Sequence, residues 1–252
     1  MIDVLILSFI QGVTEFLPVS SSSHLILFSE FAKFENKSLG IDVSLHIGSF
    51  LAIVSYFYKE IFDFVKNKKL FLKVLISSFP VIFFGFILVQ TNLIDELRNI
   101  KIIAWTTFLF GILLYLSDKF NSGKSIKNDL SYKIVIIVGF FQSLSLISGV
   151  SRSGIAITVS RFFKFDRVEA AKISFLFSIP ILGAVSIYGI NDIISSTDVN
   201  FSILSFFAIF LSFIFSFLTI KYFLKFLESF SLTIFAVYRI ILGGILLFLA
   251  YS

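Results

Sequence analysis

The sequence of 252 residues contains no cysteine, which excludes disulfide bonds and metal sites built from thiolates. Its first residues, MIDVLILSF, lack a basic segment ahead of the apolar run and lack a small-residue cleavage site, so we expect no removable signal peptide. The net charge of +5 does not predict nucleic-acid binding. The basic residues lie in short segments beside long apolar runs, where such residues orient a membrane protein.

What the sequence has in excess is apolar side chains. They make up 57% of the residues, and phenylalanine, which we expect to face lipid and to fill the core, occurs 36 times. A helix of roughly 20 apolar residues crosses a hydrocarbon layer of about 30 Å. Runs of this kind predict six spanning helices, at 43–58, 71–90, 101–117, 172–190, 201–220 and 232–250.

Two further apolar regions, 2–34 and 132–163, are interrupted in the middle by Ser, Gly and Pro. Interrupted backbone at membrane depth is tolerated only where it lines a buried or water-filled site, so each region predicts two half-helices that enter the membrane and return. The predicted fold class is therefore an all-α integral membrane protein with six spanning helices, two re-entrant broken-helix pairs and an inverted-topology repeat.

The repeat is visible when the chain is aligned with itself so that Gln11 falls on Gln142. This repeat alignment also pairs Val19 with Val150 and Ser20 with Ser151. Weaker similarity continues to the end of the chain and predicts two repeats, 1–120 and 121–252, within one membrane domain. Each repeat would hold one re-entrant pair and three spans, and this odd number of crossings would invert the second repeat.

The distribution of basic residues gives the predicted orientation. In total, 14 Lys or Arg lie in the segments predicted to be cytoplasmic, 59–73, 118–133, 164–172 and 221–228, and 4 lie in those predicted to be outside, 28–42, 91–101 and 191–200. This asymmetry agrees with the positive-inside rule and places both termini outside. The two re-entrant pairs would then enter from opposite sides, and we expect their tips to meet near the middle of the membrane.

The first tip, QGVTEFLPVSSSSH, runs from Gln11 to His24 and concentrates reactive groups. An isolated charge in a spanning helix costs about 2.5–3.5 kcal/mol, so Glu15 is expected to face a partner or a wet cavity. Ser21 is a candidate nucleophile that needs a base, either Glu15 or His24, which lies one helical turn away. Alternatively, Glu15 and Gln11 could ligate a divalent cation.

The second tip, centred on Arg152, predicts an anion site. The planar guanidinium of Arg152 suits phosphate. Helix N-termini also favour anions, because their backbone N–H groups are unpaired and the helix dipole is positive there. The residues predicted to bind phosphate beside Arg152 precede or begin the two returning half-helices: Ser20, Ser22, Ser151, Ser153 and Gly154.

Simpler interpretations of these residues stay open at this point. The serine run could serve close helix packing alone. Arg152 could pair with Glu15 only to tie the two repeats together. His46, within SLHIGS, is either a helix-packing residue or a neighbour that supports the residues of the site. We expect Arg161 and Arg239 to reach the membrane interface or to pair internally.

Five segments taken in order, QGVTEFLPVSSSSHL, LHIGSFLAIV, GVSRSG, SFLFSIPILGA and FAVYRIILG, resemble the bacterial undecaprenyl-diphosphate phosphatases of the bacitracin-resistance type. The resemblance covers nearly the whole chain. It implies hydrolysis of undecaprenyl diphosphate to undecaprenyl phosphate and inorganic phosphate, which recycles the lipid carrier for peptidoglycan synthesis and confers bacitracin resistance. Matched by motif, it implies functional roles for Gln11, Glu15, Ser21, His24 and Arg152.

The same resemblance implies a divalent cation, Mg²⁺ or Ca²⁺, as cofactor, a polyprenyl diphosphate lipid as partner, and a possible homodimer. It places the protein in the bacterial cytoplasmic membrane, and we expect the active site to open to the outer side. The nucleophile remains open among Ser21, His24 and an activated water. The competing hypothesis is a transporter or flippase of an anionic polyprenyl lipid, because inverted repeats with half-helices are typical of alternating access.

Overall fold

This computed structural model describes residues 1–32, 39–91, 93, 96–120, 122–195 and 199–252. Within those residues the regular structure is helical apart from one isolated bridge between Lys124 and Phe165. The α-helices are, in order, α1 (Ile2–Thr14), α2 (Ser21–Ala32), α3 (Leu39–Tyr56), α4 (Tyr58–Lys66), α5 (Lys68–Gln90), α6 (Ile100–Asp118), α7 (Ile126–Asp129), α8 (Tyr132–Gln142), α9 (Arg152–Phe162), α10 (Arg167–Ser195), α11 (Val199–Ser229) and α12 (Thr233–Tyr251). The protein is an all-α integral membrane protein.

Five helices of the described chain, α5, α6, α10, α11 and α12, are long and apolar enough to cross a membrane. They correspond to five of the six predicted spans. The remaining span, predicted at 43–58, falls in the 18-residue helix α3, whose apolar part is shorter than those five. Helix α3 ends at Tyr56, and after Phe57 the amphipathic helix α4, YKEIFDFVK, begins.

Helix α11 extends further than predicted. The span was predicted at 201–220 with a loop at 221–228, but the helix continues through both. In its last turns Lys221 and Lys225 are exposed while Leu227 is buried. This alternation is that of an amphipathic helix, so the polar residues mark the end of the apolar span without ending the helix.

The two predicted broken-helix pairs are present. Helix α1 has 13 residues and α8 has 11, which at a rise of 1.5 Å per residue is too short for a layer of about 30 Å. After α1 the chain turns through a segment that contains Pro18 before α2 begins. After α8 it passes through a 3₁₀ turn, Ser143–Leu146, and through Gly149, whose φ is +94°, before α9 begins.

Helices from the two predicted repeats pack against each other. Helix α6 lies along α12, where Gly243 permits a close approach, since a Cβ there would lie 2.6 Å from the backbone nitrogen of Phe108. Helix α1 packs on α11 and α8 packs on α5, and the repeat alignment makes these two pairs equivalent. The two-repeat division at residue 120 stays a prediction with which this packing is compatible.

Phenylalanine occupies both the core and the outer surface. Phe16, Phe57 and Phe175 lie in the buried cluster between the tips and α10. Phe86 and Phe248 are 65% and 73% exposed, on helices long enough to span a membrane. An outer surface rich in large apolar side chains is what contact with lipid requires.

Candidate active site

The first tip begins where α1 ends, at Glu15. The backbone N–H of Glu15 still donates to the carbonyl of Gln11 over 2.9 Å, so the two residues lie one turn apart on the same face. The side-chain amide of Gln11 donates to Oε2 of Glu15 over 3.0 Å. Both side chains are buried, and the carboxylate is therefore fixed by a neighbour within its own helix.

Each tip contains a serine with an unusual backbone conformation. Ser20 has a φ of 76° and Ser151 has a φ of 70°, and the next residue begins α2 or α9. Positive φ is uncommon for residues other than glycine and is maintained only when surrounding contacts fix it, which is frequent at functional sites. Oγ of Ser151 accepts from the backbone N–H of Gly154 over 3.0 Å and caps α9.

The two tips meet at the carboxylate of Glu15. Nη2 of Arg152, the first residue of α9, donates to Oε1 over 2.6 Å. Oγ of Ser21, the first residue of α2, donates to Oε2 over 2.5 Å. A second link joins the tips where Oγ of Ser153 donates to the carbonyl of Leu17 over 2.7 Å. The predicted meeting of the two tips is confirmed by these contacts.

Arg152 has donors that its ion pair does not use. Its Nη1 is buried and has no hydrogen-bond partner within the described residues. A guanidinium carries five N–H donors, and a buried donor without an acceptor is costly. The fork therefore has donor capacity left for further oxygen atoms, such as those of a phosphate group.

A cavity of about 150 Å³ opens beside this ion pair. Its polar side is formed by Glu15, Arg152, His46 and five serines, Ser20, Ser21, Ser22, Ser145 and Ser151. Its apolar side is formed by residues of α10, Ile181, Leu182 and Val185. A ligand that suits both sides has an anionic head attached to an apolar chain.

The chain matches the protein family described as "Bacitracin resistance protein BacA" over residues 4–245. It belongs to the BacA family. Among similar relatives, the Undecaprenyl-diphosphatase of Pelagibacter ubique (strain HTCC1062) is 46% identical over 253 residues, covering 100% of this chain and 98% of the relative. The Undecaprenyl-diphosphatase of Campylobacter curvus (strain 525.92) is 38% identical and that of Jannaschia sp. (strain CCS1) is 35% identical, each covering 98% of this chain and at least 97% of the relative.

The structure of this BacA-family protein brings together three of the four residues predicted to be catalytic, Glu15, Ser21 and Arg152. The fourth, His24, is engaged elsewhere. Its Nδ1 lies 2.7 Å from the carbonyl oxygen of Ser20, and its Nε2 lies 2.6 Å from Oη of Tyr238. Because a carbonyl only accepts, Nδ1 carries the proton and Nε2 accepts from the tyrosine. Of the two bases predicted for Ser21, only Glu15 contacts it.

The predicted phosphate-binding residues divide into two groups. Ser20, Ser22 and Ser151 line the cavity. Ser153 and Gly154 are not among its lining residues. Oγ of Ser153 donates to the other tip, and the N–H of Gly154 donates to the capping serine. The backbone N–H of Gly154, which was predicted to be free for an anion, is therefore already used by the helix cap.

Gln11, predicted as a metal ligand with Glu15, lies behind the carboxylate rather than on the cavity wall. Its Oε1 is buried and unpartnered within the described chain. The described ranges contain no group of three or more His, Cys, Asp or Glu that could hold a metal ion by themselves. One carboxylate beside several hydroxyls does fit Mg²⁺ or Ca²⁺ if a bound diphosphate supplies further oxygen ligands.

His46 lies on the cavity wall, as the second of its two interpretations predicted. Its Nδ1 is 2.8 Å from the carbonyl oxygen of Asp42, one turn earlier in α3. This bond requires the proton on Nδ1, so Nε2 of the neutral ring is an acceptor. His46 is therefore a neighbour of the site whose orientation is set by its own helix.

Two residues near the start of α12, Tyr238 and Arg239, contact the tips and were not predicted to do so. Tyr238 holds His24, and Arg239 is fully buried with hydrogen bonds to backbone carbonyls of both tips. Arg239 was expected either to reach the membrane interface or to pair internally, and the internal alternative is correct. The segment FAVYRIILG signalled the family, but no local pattern in it identifies these partners.

Proposed function

We propose that this protein hydrolyses undecaprenyl diphosphate to undecaprenyl phosphate and inorganic phosphate, the activity after which its relatives are named. The observation that carries the proposal is that Arg152 and Ser21, from different tips, contact the two oxygens of one carboxylate, that of Glu15. The reaction returns the lipid carrier to peptidoglycan synthesis and accords with the bacitracin-resistance description of the family.

In the proposed reaction Ser21 is the nucleophile. Its oxygen attacks the terminal phosphorus, the bond from that phosphorus to the bridging oxygen breaks, and undecaprenyl phosphate leaves. Glu15, which already accepts the hydroxyl hydrogen bond, takes the proton and passes it to the departing phosphate oxygen. Water then attacks the phosphoserine, Glu15 transfers a water proton to the serine oxygen, and inorganic phosphate is released.

Arg152 stabilises the charge on the transferring phosphoryl group. Such reactions require little covalent help from the protein beyond the nucleophile and depend chiefly on positioning and charge. The unpartnered Nη1 supplies donors for phosphoryl oxygens without breaking the ion pair made by Nη2. The hydroxyls of Ser20, Ser22 and Ser151 add neutral donors on the cavity wall.

The apolar side of the cavity is suited to the prenyl chain. Leu182 is only 2% exposed, whereas Val185, about one turn further along α10, is 37% exposed. This gradient leads from the cavity towards the outer apolar surface of the protein. A lipid diphosphate would place its head among the polar groups and its first prenyl units against α10.

We extend the proposal to a divalent cation, Mg²⁺ or Ca²⁺, held by Glu15 and serine hydroxyls together with diphosphate oxygens. When bound, it would neutralise phosphate charge. Gln11, which is not on the cavity wall, would support Glu15 through its amide.

The protein is a multi-pass membrane protein, and we propose the bacterial cytoplasmic membrane with the termini and the cavity opening outside. Support comes from the excess of Lys and Arg in the segments assigned to the cytoplasm, 14 against 4. The substrate is a membrane lipid, so no nucleic-acid partner is proposed. A homodimer remains a prediction that rests on the family resemblance.

The experiment is phosphate release from farnesyl or undecaprenyl diphosphate by the purified protein in detergent with Mg²⁺. We expect turnover by the wild type and a loss of roughly 10³-fold or more in Ser21→Ala, as for removal of a nucleophile. Ser44→Ala is the matched control, because the Ser44 hydroxyl donates within α3, to the carbonyl of Gly40, and does not line the cavity. Near-normal release by Ser21→Ala would favour direct attack by water.

The transporter alternative is not favoured, because a carrier needs no hydroxyl held against a carboxylate. The same experiment separates the two hypotheses, since detergent solution has no second compartment. Binding of the lipid diphosphate without phosphate release by the wild type would contradict the hydrolase and support the carrier.

A further inference from the structure

We propose that Arg239 is a positioning residue that holds the two tips in register, a role that rests on the proposed function. Its side chain is fully buried, and its hydrogen bonds go to backbone carbonyls. Nη1 donates to the carbonyl of Pro18 over 3.2 Å. Nη2 donates to the carbonyls of Gly149 over 2.7 Å and Val150 over 3.0 Å. One guanidinium thus joins the first tip to the second.

Two of the three carbonyls that Arg239 binds occupy corresponding places in the two tips. The repeat alignment, which sets Gln11 on Gln142, pairs Pro18 with Gly149. Two positions after each of them stands a serine with positive φ, Ser20 or Ser151. The next residues are Ser21, the proposed nucleophile, and Arg152, the proposed phosphoryl ligand. The bonds of Arg239 therefore restrain the backbone just ahead of both.

Two glycines make room for this side chain. A Cβ on Gly154 would lie 2.7 Å from Nη1 of Arg239, and a Cβ on Gly111 would lie 2.9 Å from Cβ of Arg239. Both distances are too short for real side-chain contacts. A side chain at Gly154 of the second tip would therefore have to displace the buried guanidinium, which gives this glycine a packing role apart from phosphate binding.

Helix α12 reaches the first tip by a second route. Tyr238, the residue before Arg239, donates from Oη to Nε2 of His24, and Nδ1 of His24 donates to the carbonyl of Ser20. Arg239 thus binds the carbonyl of Pro18 directly, and Tyr238 is linked through His24 to the carbonyl of Ser20. These two carbonyls lie on either side of Val19. Together the two side chains of α12 fix the segment that leads into Ser21.

The planar fork is needed because three carbonyls on two separate segments must be bound at once. A lysine would keep the charge, but its single nitrogen cannot reproduce this geometry. A displacement of about 1 Å between reacting groups can cost about 10²-fold in rate. Removing the fork should therefore lower turnover while leaving the cavity, its charge and its capacity to bind substrate largely intact.

The test compares Arg239→Lys with the wild type in purified, full-length protein, using farnesyl diphosphate. We expect kcat to fall about 10- to 100-fold, with a much smaller change in KM, because misalignment affects the transition state more than substrate binding. Folded protein is quantified by gel filtration and thermal unfolding, and kcat is calculated per folded molecule.

Arg161→Lys is the matched control. Arg161 is likewise buried, lies at the opposite end of α9 and donates to backbone carbonyls, those of Phe165, Asp118 and Phe120. Its replacement removes a comparable set of bonds without touching the tips. We expect a loss of thermal stability but a kcat per folded molecule within about twofold of the wild type, since the reacting groups stay in place.

Two results would overturn the proposal: a wild-type kcat in Arg239→Lys, or an equal fall in kcat per folded molecule in both lysine variants. If Arg239→Lys does not fold, Gly154→Ala decides, because the added methyl group displaces the guanidinium without removing its charge. A lowered kcat there supports the positioning role, and an unchanged kcat contradicts it. Failure of the wild type to release phosphate would contradict the proposed function instead.

Discussion

The two tips share a backbone arrangement and differ in the groups they carry. Each breaks the helical path, passes through a serine with positive φ and begins a second half-helix at the next residue. Yet the repeat alignment sets Glu15 against Leu146 and Ser21 against Arg152. One tip has the acid and the hydroxyl, and the other has the guanidinium.

This difference indicates that the candidate site forms where the two tips meet and that neither tip forms it alone. Glu15 is the meeting point, since it accepts from Ser21 of its own tip and from Arg152 of the other. The two tips share their backbone geometry, and their different side chains supply the carboxylate, the hydroxyl and the guanidinium that meet there. Changes at corresponding positions of the two tips should therefore have unequal consequences.

Among variants at corresponding positions of the two tips, we expect the largest difference in phosphate release at the position of Glu15. Glu15→Gln keeps the shape of the side chain but removes the base and the charge that faces Arg152. We expect phosphate release to fall about 10³-fold, within the range for loss of a general base. Leu146→Met, the corresponding position in the second tip, should leave release within about twofold, because it exchanges apolar groups of similar volume.

Phosphate release and thermal unfolding of both variants are measured in the same detergent. If both variants release phosphate at the wild-type rate, Glu15 is not the base. Loss of folded protein in Glu15→Gln, with normal turnover by the remaining folded fraction, would instead favour the interpretation of the ion pair as a structural tie.

The sequence alone predicted the features that depend on composition along the chain. Apolar runs located the helices, and the interruptions at Pro18 and Gly149 located the two tips. The cost of a lone charge in the membrane predicted that Glu15 would find a partner, and the orientation of the repeats predicted that Arg152 would be near it. These expectations need only local pattern and the energetics of the bilayer.

What the sequence did not predict depends on side-chain direction in three dimensions. Spacing left both Glu15 and His24 open as the base for Ser21, and it did not show that His24 points along α2 to the carbonyl of Ser20 and to Tyr238. Arg239 is far along the chain from Pro18, whose carbonyl it binds, so no spacing rule connects them. The helical continuation of α11 was missed because charged residues were taken as a loop, although they lie on one exposed face.

A second prediction concerns the guanidinium itself. Arg152→Lys retains the charge opposite Glu15 but loses the planar fork, including the unpartnered Nη1. We expect kcat to fall about 10²-fold, comparable to the loss of an oxyanion donor. Because the ion pair is kept, the unfolding temperature should stay close to that of the wild type.

Measuring kcat and the unfolding temperature of Arg152→Lys separates a role in phosphoryl stabilisation from a role as a structural tie. A wild-type kcat in Arg152→Lys would show that charge alone is sufficient and that the pair chiefly ties the tips together. The lysine variant of Arg161, which lies away from the cavity, again serves as the comparison for general effects of replacing a buried arginine.

The smallest expected difference lies between the two serines with positive φ. Ser20→Ala and Ser151→Ala place the same side chain in nearly the same backbone conformation, so the cost of positive φ is common to both. Ser151→Ala also removes the cap on the N–H of Gly154, whereas Ser20 bonds the hydroxyl of Ser23, which can rotate to another acceptor.

We therefore expect the free energy of unfolding to be lower in Ser151→Ala than in Ser20→Ala by about 1 kcal/mol, the usual contribution of a helix N-cap. Denaturant titration of both variants in one detergent measures the difference directly. Equal values would mean that the cap contributes nothing and that α9 is held in place by its tertiary bonds. In that case the guanidinium of Arg239 would matter more for the second tip than its own helix terminus does.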